Sequence, residues 1–146
     1  MWAHYACVHT GVCVGFDTMA LVNHFEGIEN HNLQFMIGNV IYQEQYPDLN
    51  ADAWTSEDTA AFVLTKSIEW GYEREYRILF AKEPSADFQR AHAVPSKAIT
   101  EVVIGCRTPP AARREVLRAV EMSAPKAVVF EATQATDRFA LSISKL

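Results

Sequence analysis

Specialised signals are scarce in this chain. It has no run of Lys or Arg, only the isolated pair Arg113–Arg114 within a net charge of −5, so no nucleic-acid footprint is expected. No apolar stretch reaches the ~20 residues that cross a bilayer, so no membrane association is expected. The first residues also lack the charged and apolar regions of a secretion signal. Cysteine occurs three times, at Cys7, Cys13 and Cys106, an odd count with no Cys-x-x-Cys pair. That disfavours a zinc knuckle and predicts free thiols in a reducing cytoplasm. Gly11 and Gly15 form neither a Walker loop nor a Gly-x-Gly-x-x-Gly turn, which removes kinase, ATPase and dinucleotide-fold readings. There is no internal repeat, low-complexity tract or interdomain linker.

What is present suits one globular domain spanning residues 1–146, with 49% hydrophobic and 21% charged residues. Residues 1–6 predict a turn of helix broken at His9, Thr10 and Gly11, leading into a short, mostly buried strand over 12–16. A short helix is expected over 19–25, then a strand over 33–42 that bulges at Gly38. Residues 43–55, with Pro47, Asp48, Asn50 and Asp52, read as an exposed loop. Ser56 is the expected cap of a helix running to about Ser67. Strands follow over 70–81 and 99–105, and Pro109 and Pro110 open a helix whose apolar face is Val116, Leu117 and Val120. Two closing strands, over 126–131 and 138–143, complete about six strands and three helices. The predicted class is α+β, with a mixed, mainly antiparallel sheet flanked by two or three helices.

The segment from Trp70 to Phe80 carries the chemistry. As one strand it would place Glu73, Glu75 and Arg77 on a single face, neighbours lying about 6.5–7 Å apart. Tyr72, Tyr76, Ile78 and Phe80 would form the opposite, anchoring face. Two carboxylates at that spacing raise one another's pKa, which general acid–base work can use. Arg77 offers a planar fork for a phosphate or pyrophosphate. An ordinary solvated sheet face, its charges paired with neighbouring strands, has the same pattern.

Other candidates gather around it. His4, between Trp2 and Tyr5, offers a titratable ring with aromatic walls for a ligand; a structural histidine in a buried turn is the alternative. His4, His9 and Cys13 match no standard zinc spacing, and no metal site is expected. Cys13 sits in Val-Cys-Val-Gly-Phe, which reads as core and not as a nucleophile. Lys66 either reaches an anionic ligand or complements a helix C-terminus. Trp70 either lines that ligand site or packs at the edge of a core.

Two motifs resemble one bacterial family. Met-Trp-Ala-His-Tyr-Ala followed by His9-x-Gly11-Val12, and then Thr65-Lys66, Trp70 and Tyr72-Glu73-x-Glu75-Tyr76-Arg77, are similar in kind and order to the family called domain of unknown function 2971. Its Ile-Gly segment is matched by Val103-Ile104-Gly105-Cys106-Arg107. Family members usually run on upstream of the Trp-x-His-Tyr-Ala turn, so the resemblance implies a relative that lacks the usual N-terminal part. Its layout is also similar to distant ADP-ribosyltransferases, which implies an NAD-like ligand. The first functional expectation is therefore an enzyme, or enzyme remnant, binding a nucleotide such as NAD. In it Glu75 and Glu73 are catalytic, and His4, Tyr5, Lys66, Trp70 and Arg77 bind the ligand. The second is a noncatalytic interaction or regulatory domain in which these residues are structural, its partner a protein or a second copy of the chain.

Overall fold

The computed structural model describes residues 5–27, 33–49, 52–82 and 92–146. In chain order its strands and helices are β1 (Val12–Phe16), α1 (Thr18–Glu26), β2 (Leu33–Asn39), β3 (Ile41–Gln43), α2 (Ser56–Leu64), β4 (Thr65–Ser67), β5 (Tyr76–Lys82), β6 (Ile99–Ile104), α3 (Pro110–Ser123), β7 (Val128–Gln134) and β8 (Leu141–Lys145). Short 3₁₀ turns cover Ile68–Glu73 and Ser96–Ala98. The class is α+β. The chain divides into two compact units, Met1–Glu29 with Gln89–Leu146, and Asn30–Phe88.

The first unit is built on a four-stranded sheet in the order β1-β6-β7-β8. β1 runs antiparallel to β6, β6 parallel to β7, and β7 antiparallel to β8, so the sheet is mixed. The parallel pair needs a crossover, and α3 supplies it. Pro110 starts that helix where a missing N–H costs nothing, as the sequence suggests. Val116, Leu117 and Val120 are half-buried along one side of it. Arg113 on the same helix donates from Nε to Glu131 Oε1 of β7 at 3.0 Å. Val102 and Ile104 of β6, with Leu21 and Phe25 of α1, are buried, Ile104 completely. α1 begins where Asp17 accepts from the amide of Ala20 at 3.0 Å, satisfying one of the four donors a helix start leaves open.

β1 departs from expectation. Its residues alternate between exposed and half-buried, with Val12, Val14 and Phe16 on the exposed side. A buried strand and an edge strand with one open face carry the same apolar residues, so composition does not separate them. The register irregularity falls at Gly15/Phe16 and not at Gly38. β2 pairs with β5 without interruption through Gly38↔Arg77. A Cβ at 38 would lie 2.9 Å from Leu64 Cδ1 of α2, the tip of a side chain that can shift to make room.

Ahead of β1, Cys7, Val8 and His9 have φ of 44°, 57° and 68°. Three consecutive non-glycine residues in the left-handed region, one of them β-branched, need support from their surroundings. The β6–α3 loop provides it. Arg107 N donates to His9 O and Gly105 N to Gly11 O, both at 3.0 Å, and Thr108 Oγ1 donates to Thr10 O at 3.0 Å.

The second unit holds the antiparallel pair β2-β5 and the parallel pair β3-β4. Two boundaries move relative to the sequence reading. Thr55, not Ser56, caps α2, in a capping box with Asp58: the Thr55 hydroxyl accepts from Asp58 N, and Asp58 Oδ2 accepts from Thr55 N. Such a cap stabilises a helix by about 1 kcal/mol. α2 also stops at Leu64, because Thr65 turns extended (φ −103°, ψ 141°) and Thr65–Ser67 pairs with Ile41–Gln43. Cross-strand pairing there overrides the weaker helical preference of β-branched Thr65.

Candidate functional site

The expected strand over 70–81 does not form as one element. Ile68–Glu73 is a 3₁₀ turn, and Arg74 follows in the left-handed region (φ 48°, ψ 50°). Only from Tyr76 does β5 begin. Glu73 and Glu75 therefore stand on a turn and its exit, while Arg77 stands on the strand. Gly71 within the turn and a reversal at Arg74 break the period of two on which the alternating stripe depends.

The turn nevertheless gathers the charges that a strand would have spaced. Arg77 grips Glu75 with two donors, Nε to Oε1 at 2.6 Å and Nη2 to Oε2 at 3.0 Å. Its remaining arm, Nη1, donates to Val63 O in the last turn of α2, occupying a carbonyl that has no partner within the helix. Lys66 Nζ on β4 lies 2.5 Å from Glu73 Oε2 and 3.5 Å from Glu75 Oε2. The same ammonium sits 4.8 Å from the centre of the Trp70 ring, a cation–π geometry. Glu75 N donates to Tyr42 Oη at 2.7 Å, and Val40 N donates to Glu75 O at 3.0 Å. Helix α2, β3, β4, the 3₁₀ turn and β5 thus meet at one cluster of two acids and two bases.

The electrostatics reverse the expectation for Glu75. The hydrogen bonds from Arg77 hold the Glu75 carboxyl below its ordinary value near 4.5, against an opposing push from partial burial and with further help from the Arg77 and Lys66 charges. Arg77 is held upward by the same contacts with Glu75. A group whose pKa is lower folded than unfolded stabilises the fold above its unfolded pKa and loses that contribution as pH falls through the folded value. Acidification from about pH 5 downward should therefore destabilise the parent protein more steeply than Glu75→Gln. Thermal unfolding of both proteins across that range checks this, and parallel curves would contradict it.

A cavity of about 570 Å³ opens beside this cluster, lined by residues that include Gln43, Tyr46, Phe62, Lys66 and Ser67. Lys66 belongs both to its wall and to the charged cluster. Nothing in the local pattern singles out Tyr42, which looks like any strand aromatic, or the loop 43–49, which reads only as polar and exposed.

The remaining candidates belong to other segments of the chain. Tyr5 is exposed and belongs to the first unit. His4 lies outside the described residues. Nδ1 of His9 is buried and makes no hydrogen bond among the described residues. Cys7, Cys13 and Cys106 are free thiols, and Cys13 is half-buried. Among the described residues no three His, Cys, Asp or Glu side chains are placed to share a metal ion, and no helix is long and apolar enough to cross a membrane.

Comparison with known families places this cluster. The model of the family described as "Protein of unknown function (DUF2971)" matches residues 1–78. The chain belongs to this family. The DUF2971 match takes in the His9–Gly11 turn together with Lys66, Trp70, Glu73, Glu75 and Arg77, while Val103–Arg107 lies beyond it. No curated protein and no solved structure matches the chain.

Proposed function

We propose that this protein is a noncatalytic binding or regulatory module in which the Lys66–Glu73–Glu75–Arg77 cluster is structural. One observation carries the reading: both oxygens of Glu75 are taken by the Arg77 fork, while Lys66 is held by Glu73 and Glu75. A general acid needs a proton near neutral pH, and a carboxyl held below its ordinary range has none to give. A phosphate-binding arginine needs a free fork, and the donors of Arg77 already serve Glu75 and the Val63 carbonyl. The cluster is better suited to tying α2, β4 and β5 together than to chemistry. Three free thiols fit a reducing compartment, and we place the protein in the bacterial cytoplasm on that ground and on its family.

The second reading keeps an ADP-ribosyltransferase-like enzyme acting on an NAD-like ligand, with Glu75 as its catalytic carboxylate. The cavity at Lys66 favours it, since a ligand there would touch a member of the cluster. It requires Glu75 to exchange Arg77 for the substrate.

Glu75→Gln separates the two readings. On the structural reading the melting temperature falls by several degrees, about 1–2 kcal/mol of lost charge-assisted hydrogen bonding, and the parent protein releases no nicotinamide from NAD. Nicotinamide release by the parent that disappears in Glu75→Gln, with melting unchanged, would overturn the structural reading.

A further inference from the structure

The cavity beside Lys66 has a chemistry of its own, distinct from that of the cluster behind it. It opens where the parallel strands β3 and β4 end together, at the pair Gln43↔Ser67. Carboxyl ends of parallel strands are a recurrent position for ligands in sheet proteins. Its volume, about 570 Å³, lies within the range of small-molecule sites.

The lining selects against charge. Its two charged residues are Glu44 and Lys66, of opposite sign, and Lys66 is further neutralised by Glu73 and Glu75. An anion entering here would meet no uncompensated cation among the lining residues. Two aromatic rings are offered instead, Tyr46, almost fully exposed, and Phe62, about 61% exposed. Phe62 packs edge-to-face against Trp54, with ring centroids 6.2 Å apart, and Trp54 is fixed by its indole donating to Thr59 Oγ1 at 2.7 Å. A ring presented to solvent on a braced support is a stacking platform. Gln43, Gln45, Thr65 and Ser67 supply uncharged donors and acceptors around it.

We infer that this cavity binds a neutral, planar heterocycle carrying hydroxyl groups, the chemistry of a nucleoside without its phosphate. The inference rests on reading the charged cluster as closed, since a Lys66 released from its carboxylates would select an anion.

Titration calorimetry of the full chain with adenosine, guanosine, cytidine, uridine and AMP tests it. At least one nucleoside should bind saturably, and AMP should bind no more than about threefold tighter than adenosine. Phe62→Ala should weaken nucleoside binding about tenfold, the loss of one stacked ring. Should Phe62→Ala lower the melting temperature, Tyr46→Ala decides, since that side chain is almost wholly in solvent. Absence of saturable binding by all four nucleosides would overturn the inference, and so would unchanged affinity in the deciding variant. AMP binding more than about tenfold tighter than adenosine would overturn it too. The cluster reading is judged separately, by melting and nicotinamide release in Glu75→Gln, so the two can fail independently.

Discussion

Gly105→Ala should unfold the first unit, or leave it so weakened that β1 and β6 amides lose most of their protection from hydrogen exchange. A Cβ on residue 105 would stand 2.3 Å from His9 O, 2.7 Å from Gly11 O and 2.9 Å from His9 C. All three are backbone atoms, so no side chain can rotate away. Relief requires the 7–11 turn to withdraw from the β6–α3 loop. That movement breaks the Gly105–Gly11, Arg107–His9 and Thr108–Thr10 hydrogen bonds and removes the support for the left-handed run at Cys7–His9. A cost of roughly 3–5 kcal/mol follows, a large share of the 5–15 kcal/mol that holds a typical domain. The control is Gly71→Ala, whose Cβ would meet Tyr42 Cγ at an ordinary 3.8 Å and should change stability by less than about 1 kcal/mol. Equal exchange protection of β1 and β6 in both variants would show that the turn yields without resistance.

Arg77→Met should lower stability by roughly 2–3 kcal/mol, more than Glu75→Gln. Methionine keeps much of the stem volume but removes three donors at once, leaving Glu75 with Lys66 alone and the Val63 carbonyl without its guanidinium. The side chains of Arg77 and Glu75 are 26% and 30% exposed, so water and salt screen part of the pairing. The figure is accordingly kept below the range of a fully buried pair. Denaturant unfolding followed by tryptophan fluorescence suits the measurement, because Trp54 and Trp70 both belong to the second unit. The double variant Arg77→Met with Glu75→Gln should be less destabilised than the sum of the singles, since each removes the same interaction. Additive losses would mean that the two side chains act independently.

Both predictions turn on backbone events that are faint in the sequence. The helix opening at Pro110 was legible, because proline restricts φ and lacks a donor wherever it stands. So was the strand Ile99–Ile104, a β-branched run ended by glycine, and the second pair of expected strands near the C-terminus. The long strand over 70–81 was not. Its alternation of charged and aromatic residues satisfies a period of two as well as any strand, but local pattern carries no record of a left-handed residue at Arg74. On either side of Arg74, Glu73 and Glu75 both meet Lys66, a residue on another element. Likewise the end of α2 at Leu64 depends on β3 being present to pair with Thr65–Ser67.

The sequence by itself determined the α+β class, the family, the strand–helix–strand order around α3 and the list of charged residues that matter. Local propensity and residue chemistry suffice for these. Tertiary structure decided what those residues do to one another. It turned an evenly spaced stripe into a closed cluster and pulled Glu75 down rather than up. It also opened a cavity against the flank of Lys66. Those outcomes come from contacts between residues far apart in the chain, whose distances and screening no spacing along the sequence can specify.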